Sequence, residues 1–339
     1  MIPVSLIHSQ KVSPVIITFN RADRLSTTLQ AFRAALPTTP LHVLDNASTD
    51  ETPALLGELQ QTWPSLLCHR NRYNIGGNAN ILRSVELADS EYHWVVGDDD
   101  EWCFSESALQ ELQAVLDKGE ADMIRLGWLV GEDSRGQLKD ARELAEQETL
   151  FFASISMISA TILRRSLVTH YLSRAYQNIN DSYPQLVAPM LAIEDRPLKV
   201  YTLSQNLMVH TPSTVPGYFH GDLEWFAGWY RSARFLRDPR LKKRFVNEAS
   251  LVACRNHRHP NQQFILLTKI MLYFKSFGLP QRQWLFDMLV YGTGWRLRVA
   301  GMILIDAITP TPFLSLARQA WFRIQGKPQK TLRVDRSRL

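Results

Sequence analysis

The first 130 residues alternate between short apolar runs and stretches in which apolar residues recur at helical spacing, and this alternation restricts the fold more than any other feature. The predicted strands are 12–18, 41–44, 66–68, 93–96 and 123–130, and the predicted helices are 21–35, 52–61, 77–88 and 106–116. Such alternation with short connections predicts an α/β fold, in which helices flank both faces of a mostly parallel, Rossmann-like sheet.

The rest of the chain is less regular. We expect a strand over 154–163, a helix over 183–192 and an extended stretch over 198–209. A turn-rich segment around 211–217 predicts a domain boundary, which gives one domain over 1–215 and a helical, basic region over 216–339.

Cysteine use and hydropathy indicate the cellular compartment. Cys68, Cys103 and Cys254 are widely spaced and odd in number, which argues against a disulfide framework and a Cys-rich metal site. No apolar run reaches the roughly 18 residues of a membrane-spanning helix, and the first residues lack the pattern of a signal peptide. We therefore expect a cytoplasmic protein.

The positive charge is concentrated at the C-terminal end. The formal net charge is +5, and the segment 318–339 has seven basic residues and one acidic residue, so the rest of the chain is close to neutral. A basic tail on a neutral body indicates an anionic partner, for which we expect a membrane surface and no nucleic acid. The alternative is a solvated terminus.

Four polar segments follow the predicted strands, at 18–21, 45–50, 71–78 and 98–100. Ligands of such sheets bind at the carboxyl ends of the strands, so these segments are expected to meet at one edge. The three adjacent carboxylates at 98–100 repel one another unless a cation compensates them, and oxygen ligands suit Mg²⁺ or Mn²⁺. Asp98 and Asp100 are the predicted metal ligands and Asp99 is left for sugar contacts; the alternative is a solvated acidic turn.

Two further segments indicate a nucleotide. Asp45 is placed to accept hydrogen bonds from a base or a ribose, although Ser48 with Glu51 also matches a capping box for the next helix. Gly76 and Gly77 allow a close backbone approach before a helix whose N-terminus favours phosphate.

Taken together, the segments 14–21, 45–50, 74–78 and 97–100 resemble glycosyltransferase family 2, in particular its bacterial rhamnosyl- and galactofuranosyl-type members. The resemblance implies a GT-A fold, a nucleoside-diphosphate sugar donor, inversion at the anomeric carbon and a divalent metal. It divides the first domain into a nucleotide-sugar-binding half, 12–130, and an acceptor half, 131–215. The implied donor-binding residues are Thr18, Asn20, Arg21, Asp45, Asn46, Asn74, Gly76, Gly77, Asn78 and Asp99.

The resemblance also implies a general base and a third metal ligand. Asp181 stands before a predicted helix and strand, whereas Glu194-Asp195 has the family's usual letters but follows that helix, so both aspartates remain candidates and Asp181 is favoured. His210 would complete the metal shell, or alternatively it caps a strand. The implied acceptor is a glycan or lipid-linked glycan of the bacterial surface (lipopolysaccharide, O-antigen or capsule), met at the cytoplasmic face of the inner membrane.

The C-terminal third is apolar with interspersed basic residues. We expect either a helical subdomain or an interfacial belt for peripheral membrane contact, formed by Trp284, Trp295, Arg296, Arg298, Trp321 and Arg323. Two other function classes remain. One is a catalytically degenerate member that serves as a membrane or assembly partner. The other is a sugar-nucleotide pyrophosphorylase, which is disfavoured because 18–21 contains no glycine.

Overall fold

The computed structural model describes residues 11–87, 89–179, 183–209, 228–253, 260–276, 282–291 and 296–324. These residues belong to two compact units. The first contains the described residues from 11 to 209 together with Ser232–Arg244. The second contains 228–231 and the described residues from 245 to 324.

Strands and helices alternate in the first unit as the apolar pattern predicts. In chain order they are β1 (Val12–Thr18), α1 (Ala22–Ala35), β2 (Leu41–Asp45), α2 (Thr52–Thr62), β3 (Leu66–Arg70), α3 (Gly77–Leu87), β4 (Tyr92–Gly97), β5 (Glu101–Trp102), α4 (Glu106–Lys118), β6 (Met123–Arg125), β7 (Gln137–Asp140), α5 (Ala141–Gln147), α6 (Phe151–Ser156), β8 (Thr161–Arg164), α7 (Arg165–His170), α8 (Leu172–Tyr176), α9 (Val187–Asp195), β9 (Lys199–Thr202) and β10 (Met208–Val209).

One mixed sheet organises this unit, with strand order β3-β2-β1-β4-β8-β6-β9-β7. The first four strands in this order are parallel, so their carboxyl ends share an edge. Strand β8 is antiparallel to both of its neighbours, and β7 is antiparallel to β9. The prediction of a mostly parallel sheet is confirmed.

The two faces of the sheet are covered differently. On one face, α1, α2 and α4 bury a large apolar core with the alternate residues Val12, Ile16 and Trp94 of the strands. On the other face α3 covers a small apolar cluster around Val15 and Leu44. Helices on both faces are therefore confirmed.

Two predicted strands are shorter than expected. The strand predicted over 123–130 ends at Arg125, because the backbone enters the left-handed region at Gly127 (φ 101°) and Leu129 (φ 52°). The strand predicted over 154–163 begins only at Thr161. Its first part is helical, and within this helix the hydroxyls of Ser154 and Ser156 donate to carbonyls three residues earlier.

Beyond β10 the described residues are predominantly helical, as predicted for this region. The helices are α10 (Pro239–Ala253), α11 (Pro260–Ser276), α12 (Arg282–Tyr291), α13 (Arg296–Ile308) and α14 (Thr311–Ile324). In the second unit, the rings of Trp229 and Phe245 stack at 4.5 Å, and the Trp229 indole donates to the Phe245 carbonyl. In the same unit α11 packs against both α13 and α14.

Candidate active site

The loops that follow β1, β2 and β3 are joined by backbone hydrogen bonds that extend the sheet. The Asn46 amide donates to the Thr18 carbonyl at 3.0 Å, and the Asn71 amide donates to the Asp45 carbonyl at 2.9 Å. The predicted nucleotide segments therefore do meet at the carboxyl edge, as parallel strands require.

Asn20 locks the first loop to the second. Its amide donates to Ser48 Oγ at 2.9 Å, and its side-chain oxygen accepts from the Thr49 amide at 2.7 Å. Asn20 has φ 53° and Ala47 has φ 64°. Asparagine tolerates the left-handed region, whereas alanine there costs roughly 1 kcal/mol. The strained Ala47 backbone is thus maintained by the bonds around it.

Asp98 is the first aspartate of the acidic triplet. Its Oδ2 accepts from Thr18 Oγ1 at 2.6 Å and its Oδ1 from Arg21 at 3.0 Å. Thr28 donates to the Asp98 backbone carbonyl at 3.1 Å. Only 4% of Asp98 is exposed, and this burial raises the pKa of its carboxyl, while the hydrogen bond from Thr18 and the charge of Arg21 act in the opposite direction.

The other two aspartates follow Asp98 after the end of β4. Asp99 Oδ2 accepts from Arg21 at 2.7 Å and lies 3.7 Å from Arg24. A Cβ built on Gly97 would lie 3.2 Å from Asp100 Oδ2 and 3.3 Å from Asp99 Oδ1, so both oxygens border the same point. The glycine at 97 thus leaves room for both carboxylates beside the end of β4.

This arrangement bears on the expected metal. Among the described residues no group of three His, Cys, Asp or Glu side chains has the arrangement of a complete metal site. Two neighbouring carboxylates nevertheless fit Mg²⁺ or Mn²⁺, since such ions in nucleotide enzymes are held by one or two carboxylates together with substrate phosphates. Both oxygens of Asp98 accept hydrogen bonds, and so does Oδ2 of Asp99, so the predicted ligand pair of Asp98 and Asp100 stays a prediction.

Asp45 is buried, with 1% of its surface exposed, and it holds the second loop from within. Its Oδ1 accepts from the Ser48 amide at 2.8 Å, and its Oδ2 accepts from Arg70 at 2.5 Å. Arg70 also donates to the Ser48 carbonyl at 2.6 Å. Both carboxylate oxygens that were expected to receive a base or ribose are therefore engaged with the loop.

The predicted capping box is wrong. Ser48 makes no cap to α2, because its hydroxyl accepts from Asn20 instead. Asp50 takes that place, since one of its carboxylate oxygens accepts from the Thr52 amide and the other from the Ala22 amide, both at 3.1 Å. A single carboxylate thus binds amides at the starts of α1 and α2.

A network of asparagine side chains supports the third loop. Asn46 Oδ1 accepts from Asn71 at 2.9 Å and from the Ile75 amide at 3.0 Å, and Asn46 donates to Asn74 at 2.8 Å. Asn71 donates further to Asn80 at 2.8 Å. Sequence reasoning identified Asn46 and Asn74 but missed Asn71 and Asn80, whose only signal is the recurrence of asparagine between 71 and 80.

Gly76 and Gly77 form the start of α3 beside this network. Gly76 has φ 86°, and a Cβ at either glycine would meet nothing within 4 Å. The space above the helix start is therefore open, which matches the predicted approach of a phosphate.

The two candidate bases lie in different places. Asn78 at the start of α3 donates to the Ile179 carbonyl at 2.8 Å, so the chain two residues before Asp181 reaches the glycine loop. Asp181 itself lies outside the described residues. Asp195 ends α9 and accepts from Tyr171 and Arg237. Its neighbour Arg196 lies 3.3 Å from Asp122, which precedes β6 at the amino edge. The structure therefore does not bring Asp195 to the triplet.

The small sheet of β5 and β10 carries the chain towards His210. Its antiparallel register pairs Met208 with Trp102 and Val209 with Glu101. His210 lies outside the described residues, but the residue before it pairs with the residue after Asp100.

The sequence is similar to a known protein family and to several curated proteins. Residues 13–176 match the family model described as glycosyl transferase family 2. The abequosyltransferase RfbV of Salmonella typhimurium is 31% identical over 110 residues, which are 31% of this chain and 32% of that protein. An uncharacterized protein of Mycobacterium tuberculosis is 34% identical over 94 residues, or 27% of each chain. The chain thus spans about a third or less of the curated relatives that it matches.

Solved structures of low sequence identity share the fold. Staphylococcus aureus TarS 1–349, in complex with UDP-GlcNAc, superposes with a TM-score of 0.57 at 13% identity over 94% of this chain and 93% of that chain. The mannosyltransferase PcManGT from Pyrobaculum calidifontis, in complex with GDP-Man and Mn²⁺, gives 0.50 at 13% identity over 89% of each chain. The fold is therefore of the GT-A type.

Proposed function

We propose that this protein is an inverting enzyme that moves a sugar from a nucleoside-diphosphate sugar to a glycan hydroxyl, since residues 13–176 match the model of glycosyl transferase family 2. The observation that carries the proposal is the single network that joins Thr18, Arg21 and Asp98 at the carboxyl edge of the sheet. An acidic cluster beside loops that suit a nucleotide is the arrangement that a diphosphate donor with a divalent cation requires.

In this proposal the loops at 18–21, 45–50 and 74–78 bind the donor. The open backbone around Gly76 and Gly77 would receive a phosphate at the start of α3. Asn74 and Asn46 hold this loop, and Asp45 holds the loop before it, so these three residues act by fixing the backbone that contacts the nucleotide. Arg21 can exchange its carboxylate partners for the diphosphate, to which a guanidinium binds well.

A divalent cation, Mn²⁺ or Mg²⁺, would supply Lewis-acid stabilisation of the departing nucleoside diphosphate. The carboxylates of the triplet would hold it, and the register of β5 with β10 supports His210 as a further ligand. Asp98 would mainly orient Thr18 and Arg21, because both of its oxygens already accept hydrogen bonds.

The general base deprotonates the acceptor hydroxyl while that oxygen attacks the anomeric carbon from the face opposite the leaving group. We assign this role to Asp181. The hydrogen bond from Asn78 to Ile179 supports the assignment, since it holds the preceding residues beside the donor loop. Asp195 is bound by Tyr171 and Arg237 near the amino edge, which argues against it.

For the acceptor we propose a glycan of the bacterial surface, carried on a lipid and met at the cytoplasmic face of the membrane. The support is the similarity to a protein named as an abequosyltransferase, together with the basic C-terminal segment. A membrane-bound acceptor would make peripheral attachment useful, because it confines enzyme and acceptor to one surface.

The test is thermal denaturation with Mn²⁺ and a panel of nucleoside-diphosphate sugars. We expect the melting temperature to rise with the sugars of one nucleotide, and only when the cation is present. If no combination raises it, the degenerate, non-catalytic alternative is favoured.

Two matched substitutions test the base. Asp181→Asn is expected to abolish transfer while the melting temperature still rises with donor. Asp195→Asn is expected to retain transfer. The opposite result would move the base to Asp195 and would contradict the assignment made here.

A further inference from the structure

Between residues 297 and 320, the exposed side chains of α13 and α14 are all apolar. Every exposed residue from 297 to 320 is Ala, Ile, Leu, Phe or Pro. The largest exposed fractions belong to Leu297 (90%), Ile308 (68%), Phe313 (66%), Leu316 (66%) and Leu304 (62%). Soluble monomers rarely expose contiguous apolar patches of this kind without a partner, so the surface of these two helices calls for one.

The polar side chains between residues 297 and 320 are all partly buried. Asp306, the only acidic residue in 297–320, lies 3.1 Å from Lys275 of α11 and is partly buried. Arg298 is partly buried as well, whereas Arg296 and Arg323 are exposed at the two ends of the pair. The apolar surface is therefore bordered by positive charge and carries no exposed acid.

The two helices do not form one straight span, although their combined length and composition would suit a bent one. Among the described residues no single helix is long and apolar enough to cross a bilayer, and α13 bends by 86° into Thr311–Ala320. With 13 and 14 residues, each helix is about 20 Å long, which is short of the roughly 30 Å hydrocarbon core. Two short helices with one apolar surface suit the plane of the membrane interface.

We propose that α13 and α14 dock on an anionic lipid bilayer, with Leu304, Ile308, Phe313 and Leu316 inserted at the boundary between headgroups and acyl chains. Charge complementarity selects this occupant. Arg296, Arg323 and the sequence after Ile324, which adds five basic residues and one acidic residue, would repel a second copy of this chain but attract anionic headgroups. The inference rests on the proposed function at one point only, namely that a lipid-linked acceptor would be met through this surface.

The experiment is sedimentation of the full chain with vesicles of phosphatidylcholine alone and of phosphatidylcholine with phosphatidylglycerol. We expect binding to the mixed vesicles that weakens with added salt. The triple variant Leu304→Ser, Phe313→Ser, Leu316→Ser should bind at least about tenfold more weakly, because each large apolar side chain contributes about that factor on burial. A matched variant, Leu67→Ser with Leu138→Ser, removes exposed apolar residues from β3 and β7 and should bind as the unsubstituted chain does.

Further measurements keep the proposal falsifiable. Leu304→Trp with Phe313→Trp keeps the surface apolar and should retain binding even if the serine variant folds poorly. Absence of vesicle binding by the unsubstituted chain, or equal binding by the triple variant, overturns the proposal. So does a lipid-free dimer that the triple variant dissociates. Transfer to a soluble acceptor is measured in parallel. If the unsubstituted chain binds vesicles but transfers no sugar, the result counts against the proposed function alone.

Discussion

Thr18 and Asp98 are separated by eighty positions in the chain, yet the Thr18 hydroxyl donates to Asp98 Oδ2 at 2.6 Å. The bond exists because β1 and β4 are parallel neighbours in which Ile17 pairs with Gly97, so the residues that follow both strands lie side by side. It connects the first polar loop to the last one. A buried carboxylate with a short hydrogen bond and a guanidinium beside it can remain charged at the floor of a binding site.

Replacement of this hydroxyl should be costly. Thr18→Val keeps the volume but leaves a buried acceptor of Asp98 without its donor, which costs roughly 1–3 kcal/mol. It should also raise the pKa of Asp98 further, since the lost hydrogen bond acts to lower it. Urea denaturation measures the first effect. Thr27→Val is the control, because its exposed hydroxyl bonds only a carbonyl of its own helix, and equal midpoints for the two variants would contradict the prediction.

Gly97→Ala should reduce metal-dependent donor binding more than it reduces stability. The new Cβ would lie 3.2 Å from Asp100 Oδ2 and 3.3 Å from Asp99 Oδ1, so both carboxylates must shift by a few tenths of an ångström. Calorimetric titration with Mn²⁺ and a nucleoside diphosphate should show at least about a tenfold loss of affinity, or roughly 1.4 kcal/mol.

The control for this substitution is Gly57→Ala in α2. A Cβ there meets nothing within 4 Å, and removal of a glycine from a helix interior should stabilise the protein by up to about 1 kcal/mol. Donor affinity should not change. An unchanged affinity in Gly97→Ala as well would mean that the two carboxylates do not act together.

Asn78→Ala tests whether the glycine loop positions the residues before Asp181. Loss of the bond to the Ile179 carbonyl should lower kcat with little change in the KM for the donor, because the base loses its position while the donor loops remain intact. Steady-state kinetics measure both values. Gln110→Ala on the exposed side of α4 should change neither, and an unaltered kcat in Asn78→Ala would separate this bond from catalysis.

The apolar pattern predicted the carboxyl-edge site because it depends only on period and on the order of strands. Val12–Thr18 and 93–96 were identified from their apolar residues, and parallel pairing then dictates that Thr18 and Asp98 meet. The pattern did not show which side chains within the site bind one another. Asp45 and Asp98 were expected to face ligands, but their oxygens are engaged by Arg70 and Arg21, whose side chains reach them from other loops.

Local signals failed where a distant partner competes for the same atom. Ser48 matches a capping residue, yet its hydroxyl accepts from Asn20, and Asp50 takes over the capping of α2. The strand predicted over 154–163 includes the end of the helix Phe151–Ser156, whose residues are all buried, and this burial removes the periodicity that distinguishes helix from strand. In the first case the deciding partner is distant in the sequence. In the second case burial on all sides leaves no periodic pattern in the sequence.

Histidines beneath α3 make a prediction for the pH dependence of stability. His42 and His69 stack at 5.2 Å on β2 and β3, and His93 on β4 bonds Ser84 of α3 at 3.0 Å. Burial, with a smaller effect of His69, lowers the pKa of His42 to about 4. Burial, with a smaller effect of Arg165, lowers the pKa of His93 to about 4 as well.

These pKa shifts determine whether stability rises or falls as the pH is lowered. In the unfolded chain both histidines take up a proton near pH 6.5, whereas in the folded protein they stay neutral until about pH 4, so the unfolded state binds more protons between those values. Stability is therefore complete above pH 6.5 and falls as the pH drops towards 4, by up to on the order of 3 kcal/mol for each histidine. His42→Leu should flatten the decline of the urea midpoint over that range. His170→Leu, at an exposed position, should leave it unchanged, and a decline of the same steepness in His42→Leu would show that His42 is not one of the groups responsible.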